Sequence, residues 1–342
     1  MPTHDQCGQR RRSRSGGRTL SSALIVPGLE NIRSVTVAER CRILSPAKIN
    51  LGLTVQSRRD DGFHELSTVL VALNLYDELD FVADSDGGIR LRVASLHDHE
   101  QSRSEFPTDE SNLIVRALRA LEREIDHELH LHITIKKAIP IAAGLGGGSS
   151  NAAAAFRAAS LLYDLDVGEE RLAKLAGSVG SDVPFFLNGP SALATGRGEI
   201  IRPVSLYSDW WVILIIPPFH LSTAEIYRQL TLTYRDTKNS FHVCGDEEGF
   251  FAALRQCRND LEVVATSRHP ELFRYMQQLR EAGAEGAFVT GSGPTVVGVF
   301  REWPGNDTVE TLQTRNEGVR VLTAQPVDTP DALVVQMVGR SS

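Results

Sequence analysis

The chain has 342 residues, of which 42% are hydrophobic and 23% charged, and its formal net charge is -7. These fractions are ordinary for a protein with a buried core. The mild acidic excess argues against broad binding to nucleic acid or to anionic membranes, because both require a positive surface field. No apolar stretch is long enough to span a bilayer. The four cysteines form neither a C-x-x-C pair nor a zinc-like cluster, so we expect reduced thiols and a cytoplasmic location.

The N-terminal region differs in composition from the rest of the chain. Residues 1–35 are rich in arginine and serine and carry almost no acidic residue. This composition predicts a disordered extension over residues 1–38. A targeting segment and a start codon placed too early are the alternatives.

Hydrophobic periodicity then predicts a mixture of strands and helices. Residues 65–76 fit a strand or a short helix, and 94–108 and 231–247 read as polar surface loops. The predicted strands are 42–56, 129–136, 191–195, 211–216, 287–290 and 296–300, with a β-hairpin formed by 77–82 and 88–93. The predicted helices are 113–125, 150–163, 169–179, 222–230, 261–266 and 271–282, followed by a helix–strand pair over 307–322. Mixed elements with hairpins favour an α+β fold over a regular parallel α/β sheet.

A glycine-rich segment follows the strand at 129–136. It reads Pro140-Ile141-Ala142-Ala143-Gly144-Leu145-Gly146-Gly147-Gly148-Ser149-Ser150-Asn151, and an alanine run continues it. Glycine lets the backbone approach a ligand closely, Ser149, Ser150 and Asn151 are good helix N-caps, and alanine favours a helix. We therefore predict a phosphate site at a helix N-terminus. A flexible loop before an ordinary helix is the alternative. The segment lacks the Lys of a Walker A loop and the spacing of a dinucleotide fingerprint.

Two charged residues stand in apolar surroundings. Lys48 and Asn50 occupy alternate positions of the first predicted strand, so both side chains face the same way. Asp182 follows the helix at 169–179, and a partly buried carboxylate needs a partner charge. We expect Lys48 to be this partner, and an Asp beside a Lys can orient or deprotonate a substrate hydroxyl in phosphoryl transfer. The alternatives are a solvated sheet face for Lys48 and Asn50 and a turn cap for Asp182.

A second glycine turn, Thr290-Gly291-Ser292-Gly293-Pro294-Thr295, lies between two predicted strands. It predicts either a tight hairpin or a close approach of the backbone to a substrate or nucleotide.

These segments, in this order, resemble the GHMP kinase superfamily, which includes galactokinase, homoserine kinase and mevalonate kinase. The resemblance spans roughly residues 44–300 and is carried by 45–51, 58–66, 144–153, 180–186 and 290–294. The segment Gly62-Phe63-His64-Glu65 and residues 45–51 are similar to the branch whose substrate is 4-(cytidine 5'-diphospho)-2-C-methyl-D-erythritol. Residues 222–227 and 259–262 fit the same branch.

The resemblance implies a two-lobed α+β fold with the active site in the cleft between the lobes. It implies an N-terminal nucleotide-binding domain over 39–200 and a C-terminal domain over 201–342. The implied activity is ATP-dependent phosphorylation of the 2-hydroxyl of the cytidine-linked alcohol, in the non-mevalonate route to isoprenoid precursors.

The resemblance also implies roles for individual residues. Lys48 and Asp182 match the catalytic pair, with Asp182 as a base or an orienting group. Asn50 would hold the methylerythritol part of the substrate. The cytosine ring would lie against Phe63 and Tyr227, with His64 bonding its edge and Thr223 nearby. The ATP phosphates would be wrapped by Pro140, Ile141, Ala142, Ala143, Gly144, Leu145, Gly146, Gly147, Gly148, Ser149 and Ser150.

ATP and Mg²⁺ are the implied cofactors, and the metal would bridge ATP oxygens. No carboxylate cluster stands out, so no metal ligand is predicted. The expected partner is a small-molecule substrate, with no nucleic acid or membrane, and the chain is expected to be a monomer or a homodimer. The alternatives are another GHMP kinase acting on a sugar, homoserine or mevalonate, and a non-catalytic nucleotide-binding protein. Phe63 and His64 argue against the first, and the intact Lys48 and Asp182 argue against the second.

Overall fold

The computed structural model describes residues 39–85, 87–96, 106–231, 241–329 and 333–337. The predicted N-terminal extension, residues 97–105 of the predicted loop 94–108 and residues 232–240 of the predicted loop 231–247 lie outside these residues. The strands are β1 (Arg40–Arg58), β2 (His64–Ala83), β3 (Ile89–Leu96), β4 (Leu131–Lys137), β5 (Ser191–Gly196), β6 (Ile200–Pro203), β7 (Trp211–Ile216), β8 (Gly286–Val289), β9 (Val296–Phe300), β10 (Arg320–Ala324) and β11 (Val334–Met337). The helices are α1 (Leu113–Ile125), α2 (Gly147–Leu162), α3 (Glu169–Val179), α4 (Val183–Leu187), α5 (Thr223–Gln229), α6 (Glu247–Arg255), α7 (Glu262–Arg268), α8 (Pro270–Glu281) and α9 (Asn306–Arg315). This α+β architecture confirms the predicted fold class.

The first sheet is built around two long antiparallel strands, β1 and β2. Its order is β11-β1-β2-β4-β3, with β5 on β2 and β6 on β5. The first half of β2 pairs with β5, through Leu66 to Val71, and its second half pairs with β4, through Glu78 to Ala83. Residues 65–76 are therefore strand, and β2 runs without interruption through the boundary at 76/77 that the sequence suggested.

The predicted hairpin between 77–82 and 88–93 is wrong. β3 pairs in parallel with β4, and β4 takes the position beside β2. The chain leaves β3, passes through α1 and returns along β4, which is the crossover that parallel neighbours require. The composition of the strands suits this order: β4 buries Leu131, Ile133 and Ile135, whereas β3 exposes Arg90 and Arg92, as is common on an edge strand.

The second sheet has the order β10-β7-β9-β8 and consists only of residues after 210. Its central strand β7 is buried on both faces. Val212 and Leu214 pack in a cluster with Ile49 and Leu51 of β1, whereas Ile213 and Ile215 pack in a separate cluster with residues of α8. The shared cluster holds β1 against the second sheet and so places the residues of β1 close to the turn between β8 and β9.

The predicted division at residue 200 remains a prediction. The second sheet lies entirely in the C-terminal part, but β11 returns to β1 of the first sheet through four paired positions, from Cys41–Met337 to Leu44–Val334. Among the residues that the structure describes, no helix combines the length and apolarity that crossing a membrane requires.

Candidate active site

A cleft of about 890 Å³ contains much of the predicted site. Its walls come from β1, the loop before β2 and the first part of β2, the glycine-rich segment, the residues before α4, the turn between β5 and β6, α5 and the turn between β8 and β9. The predicted residues that line it are Lys48, Asn50, Phe63, His64, Gly144, Gly146, Ser149, Asp182, Thr223 and Tyr227.

Lys48 lies at the centre of the polar groups in this cleft. Its Nζ donates to Asn50 Oδ1 at 2.8 Å and lies 3.4 Å from Asp182 Oδ2. The Lys48 side chain is 6% exposed and the Asp182 side chain 34%, so the pair has one protected and one accessible member. The contact between Lys48 and Asp182 that the sequence predicted is therefore present, and the carboxylate is open to a ligand in the cleft.

Asn50 is held on several sides. Its Nδ2 donates to Thr68 Oγ1 at 3.0 Å, and its backbone N–H donates to Thr290 Oγ1 at 2.8 Å. The amide is thereby oriented with Oδ1 toward Lys48, because its nitrogen is engaged by Thr68. These contacts fix the two polar side chains of β1 on one face, as their alternate positions predicted.

The glycine-rich segment closes tightly against β1. Lys48 N–H donates to Leu145 O at 2.8 Å. Gly144 and Gly146 have φ of +80° and +72°, and a Cβ at Gly146 would lie 2.7 Å from Lys48 Cγ. Side chains are therefore excluded at both glycines by conformation and by space. The alanine and leucine of this segment, Ala143 and Leu145, are buried and pack in the core.

The predicted side-chain cap of the following helix is wrong. α2 begins at Gly147, three residues earlier than predicted, and of the side chains that the structure describes none caps it. Ser150 and Asn151 instead lie inside the helix and contact Ser45: Ser45 Oγ lies 2.6 Å from Ser150 Oγ and 2.9 Å from Asn151 Oδ1. The first backbone N–H groups of α2 are left without a side-chain acceptor, which is the arrangement that suits a phosphate.

The predicted cytosine-binding residues lie at the other end of the cleft. The His64 and Tyr227 rings are stacked with centroids 5.1 Å apart, and Phe63 is half exposed. Burial, and then the charge of Arg58, lower the pKa of His64, so its ring is neutral at pH 7 and keeps one donor and one acceptor nitrogen. Thr223 Oγ1 lies 2.8 Å from Ser292 Oγ, between this group and the second glycine turn.

Three arginines in the cleft were missed by sequence reasoning. Arg58 and Arg228 are exposed along its wall, and the Arg197 guanidinium lies 4.7 Å from the centre of the Phe63 ring. Glu65 brings the loop of Phe63 and the turn of Arg197 together, since its two oxygens accept from Arg59 Nη1 and from Gly196 N–H. Sequence reasoning did not single out Arg197, although the glycines on both sides of it, Gly196 and Gly198, marked a turn. Arg58 could have been found from sequence, because it begins the segment 58–66 that also contains Phe63.

The remaining predicted nucleotide residues lie around the cleft without lining it. They are Pro140, Ile141, Ala142, Ala143, Leu145, Gly147, Gly148 and Ser150. Gly148 is exposed at the start of α2 and Ser150 is fully buried. The turn at 290–295 is the predicted hairpin between β8 and β9, and it also lines the cleft through Gly291 and Ser292.

The described part of the chain holds no group of three or more histidine, cysteine, aspartate or glutamate side chains suited to a metal ion. Asp182 is the carboxylate in the cleft wall, and it is engaged by Lys48. These residues do not form a cage for Mg²⁺, which commonly binds through substrate phosphates and water with only one or two carboxylates.

Comparison with known proteins agrees with the geometry. The family described as GHMP kinases N terminal domain matches residues 112–190, and GHMP kinases C terminal matches residues 239–318. A protein of Syntrophomonas wolfei named 4-diphosphocytidyl-2-C-methyl-D-erythritol kinase is 39% identical over 82% of this chain and 96% of its own length. A Bacillus subtilis protein of the same name is 37% identical over 75% of this chain and 87% of its own.

Solved structures give the same result. A crystal structure of 4-(cytidine 5'-diphospho)-2C-methyl-D-erythritol kinase is 30% identical, with a TM-score of 0.68 over 83% of this chain and 98% of its own. Homoserine kinase from Cytophaga hutchinsonii has a TM-score of 0.67 over 90% of this chain and 100% of its own, but at 16% identity this likeness shows the fold alone. The chain therefore belongs to the 4-diphosphocytidyl-2-C-methyl-D-erythritol kinase family of the GHMP kinases.

Proposed function

We propose that this enzyme transfers the γ-phosphoryl group of ATP to the 2-hydroxyl of 4-(cytidine 5'-diphospho)-2-C-methyl-D-erythritol, in the non-mevalonate route to isoprenoid precursors. The observation that carries the proposal is the Lys48–Asp182 contact, 3.4 Å long, in the cleft that also contains the glycine-rich segment and the aromatic group around His64. A phosphate site, a carboxylate that can reach a hydroxyl and a place for a flat base are the parts that this reaction needs.

Phosphoryl transfer depends mainly on positioning and on charge stabilisation. In the proposed reaction the substrate hydroxyl oxygen bonds to the γ-phosphorus, the bond from the γ-phosphorus to the β,γ-bridging oxygen breaks, and ADP leaves. Asp182 Oδ2 accepts the hydroxyl hydrogen bond and then, as base, the proton, or orients the hydroxyl while the proton passes to solvent. Lys48 holds the carboxylate in place and offers its positive charge to the transferring group.

The glycine-rich segment supplies the proposed nucleotide site. The free N–H groups at the start of α2 and the dipole of this 16-residue helix both favour phosphate. ATP is the phosphate donor of this kinase family. Mg²⁺ would neutralise charge on the phosphates when bound, and Asp182 is the carboxylate that the described residues place in the cleft wall beside them.

The other end of the cleft supplies the proposed substrate specificity. Phe63, His64 and Tyr227 provide aromatic faces and a neutral imidazole for the cytosine, and Asn50 and Thr223 provide polar contacts. Arg58, Arg197 and Arg228 add positive charge where a substrate diphosphate would pass. A sugar, homoserine or mevalonate carries neither a base nor a diphosphate, so a site for one of those substrates would not need these features. We expect the enzyme to act in the cytoplasm, as a monomer or a homodimer.

Two measurements test the proposal. Purified protein with ATP should convert the cytidine-linked methylerythritol and leave mevalonate, homoserine and galactose unchanged, and turnover of only one of those other alcohols would sink it. Asp182→Asn should lower kcat by about 10²–10⁴-fold, the range for removal of a general base. The exposed carboxylate variant Asp209→Asn is the control and should keep wild-type kcat. If Asp182→Asn also kept it, the assignment of Asp182 would be wrong.

A further inference from the structure

The turn between β8 and β9 connects the two halves of the proposed reaction site. On one side, Thr290 Oγ1 accepts the backbone N–H of Asn50 at 2.8 Å, next to Lys48. On the other side, Thr295 Oγ1 donates to Ala143 O at 2.7 Å, and a Cβ at Gly144 would lie 2.7 Å from Gly293 O. The turn is therefore packed without spare room between the strand that would hold the phosphate acceptor and the segment that would hold the donor.

Asn259, between α6 and α7, holds this turn from behind. Its Nδ2 donates to Val289 O at 2.8 Å and to Gly291 O at 2.6 Å, and its Oδ1 accepts Leu261 N–H at 3.0 Å. The side chain is buried, and both amide hydrogens are used. The orientation of the amide is determined by these contacts, because a flipped amide would point its oxygen at two carbonyl oxygens.

The segment that carries Asn259 is itself attached to β1. Leu53 N–H donates to Arg258 O at 2.8 Å, and Asp260 N–H donates to Leu53 O at 2.9 Å. Val55 N–H donates to Asp260 Oδ2 at 2.8 Å. Residues 258–260 thus lie beside the strand that bears Lys48, paired with it at Leu53. The Asn259 side chain then connects that strand to the turn.

We infer that Asn259 is a positioning residue for phosphoryl transfer. It does not line the cleft and touches no proposed ligand. It fixes the carbonyl groups of the residues before and after Thr290. The turn that contains Thr290 then aligns Asn50, on the side of the phosphate acceptor, with Gly144, on the side of the phosphate donor. This inference rests on the proposed function, since it concerns the alignment of the two substrates in that reaction.

The expected consequence is a loss of kcat with little change in KM. The groups proposed to bind cytosine are Phe63, His64 and Tyr227, and the side-chain hydrogen bonds of Asn259 go to other residues, Val289, Gly291 and Leu261. Substrate affinity should therefore change less than about threefold, which is under 1 kcal/mol. A misplacement of about 1 Å between reacting groups costs up to about 10²-fold in rate. We therefore expect kcat of Asn259→Ala to fall by about 10- to 100-fold.

The experiment compares three single variants and one double variant of the full chain with wild type. Each is assayed with ATP and 4-(cytidine 5'-diphospho)-2-C-methyl-D-erythritol, and its thermal unfolding is measured. Asn316→Ala is the matched control, because Asn316 is also buried and its Nδ2 donates to Gln278 Oε1 and Leu312 O at 2.8 and 2.7 Å, away from the cleft. Thr290→Val removes the acceptor of the Asn50 N–H bond and keeps the shape of the side chain, so it tests the contact between the turn and β1.

We expect Asn259→Ala and Asn316→Ala to lower the melting temperature by similar amounts. Of these two variants, only Asn259→Ala should lose kcat. Thr290→Val should lose kcat as well, and the double variant with Asn259→Ala should lose less than the product of the two single effects, since both act through the same turn. If Asn259→Ala does not fold, the kcat of Thr290→Val alone tests whether the turn aligns the two substrates.

Wild-type kcat in Asn259→Ala, an effect on KM alone, an equal kcat loss in Asn316→Ala, or wild-type kcat in Thr290→Val would each overturn the inference. Failure of wild type to turn over this substrate would instead overturn the proposed function, which keeps the two results separate.

Discussion

Gly146 offers a quantitative test of how the glycine-rich segment supports Lys48. In Gly146→Ala the new Cβ would lie 2.7 Å from Lys48 Cγ and 3.1 Å from Lys48 Cε. Carbon atoms prefer about 3.5–4.0 Å, so the lysine must move by about 1 Å. That movement displaces Nζ from Asn50 Oδ1 and Asp182 Oδ2, and we expect kcat to fall by about 10²-fold.

The backbone adds a second, separable cost to this substitution. Alanine at φ +72° is strained by about 1–2 kcal/mol, and each kcal/mol lowers the melting temperature of a protein of 342 residues by about 1–2 °C. Gly283→Ala is the matched control, because Gly283 has φ +96° and its Cβ would meet nothing within 4 Å. It should lose comparable stability and keep wild-type kcat. Steady-state kinetics and thermal unfolding of both variants measure this, and a Gly146→Ala enzyme with wild-type kcat would refute the reasoning.

Two further predictions concern the substrate end of the cleft. Burial and Arg58 lower the pKa of His64, so kcat/KM for the cytidine substrate should stay level through the ordinary imidazole pKa of about 6.5 and fall only at more acidic pH, where protonation removes the acceptor nitrogen. The ratio of wild type to His64→Gln measured from pH 5.5 to 8 isolates this effect, and a flat ratio would contradict it. Arg197→Leu should raise KM for the same substrate about tenfold without changing KM for ATP, since a cation stacked on Phe63 and a charge-assisted contact to phosphate are lost. Arg197→Lys should lie between the two, and equal KM values in all three enzymes would remove Arg197 from the substrate site.

Local patterns predicted the parts of the fold that depend on local physics. Alternation identified β1 and β4, and the apolar spacing of residues 113–125 identified α1 with its bounds. The Lys48–Asp182 contact could be anticipated because a carboxylate in apolar surroundings needs a counter-charge, and Lys48 was the available one.

Features that depend on contacts between distant parts of the chain could not be predicted from local patterns. The hairpin prediction for β3 failed because two neighbouring strand patterns do not reveal that a later strand, β4, will separate them. The start of α2 was placed too late because glycine disfavours helix, whereas the contacts of Ser150 and Asn151 with Ser45 override that preference. Asn259 carried no local sign of its contacts with the turn after β8, since its partners lie about 30 residues away.

The uncapped start of α2 would link the proposed nucleotide binding to the stability of the enzyme. A phosphate group would serve as the missing cap of this helix, in place of the side chains that Ser45 has engaged. Ligand that binds only the folded chain stabilises it by RT ln(1 + [L]/Kd), about 2.7 kcal/mol at a hundredfold excess over Kd. The folded enzyme would therefore become more resistant to unfolding as the concentration of its nucleotide rises.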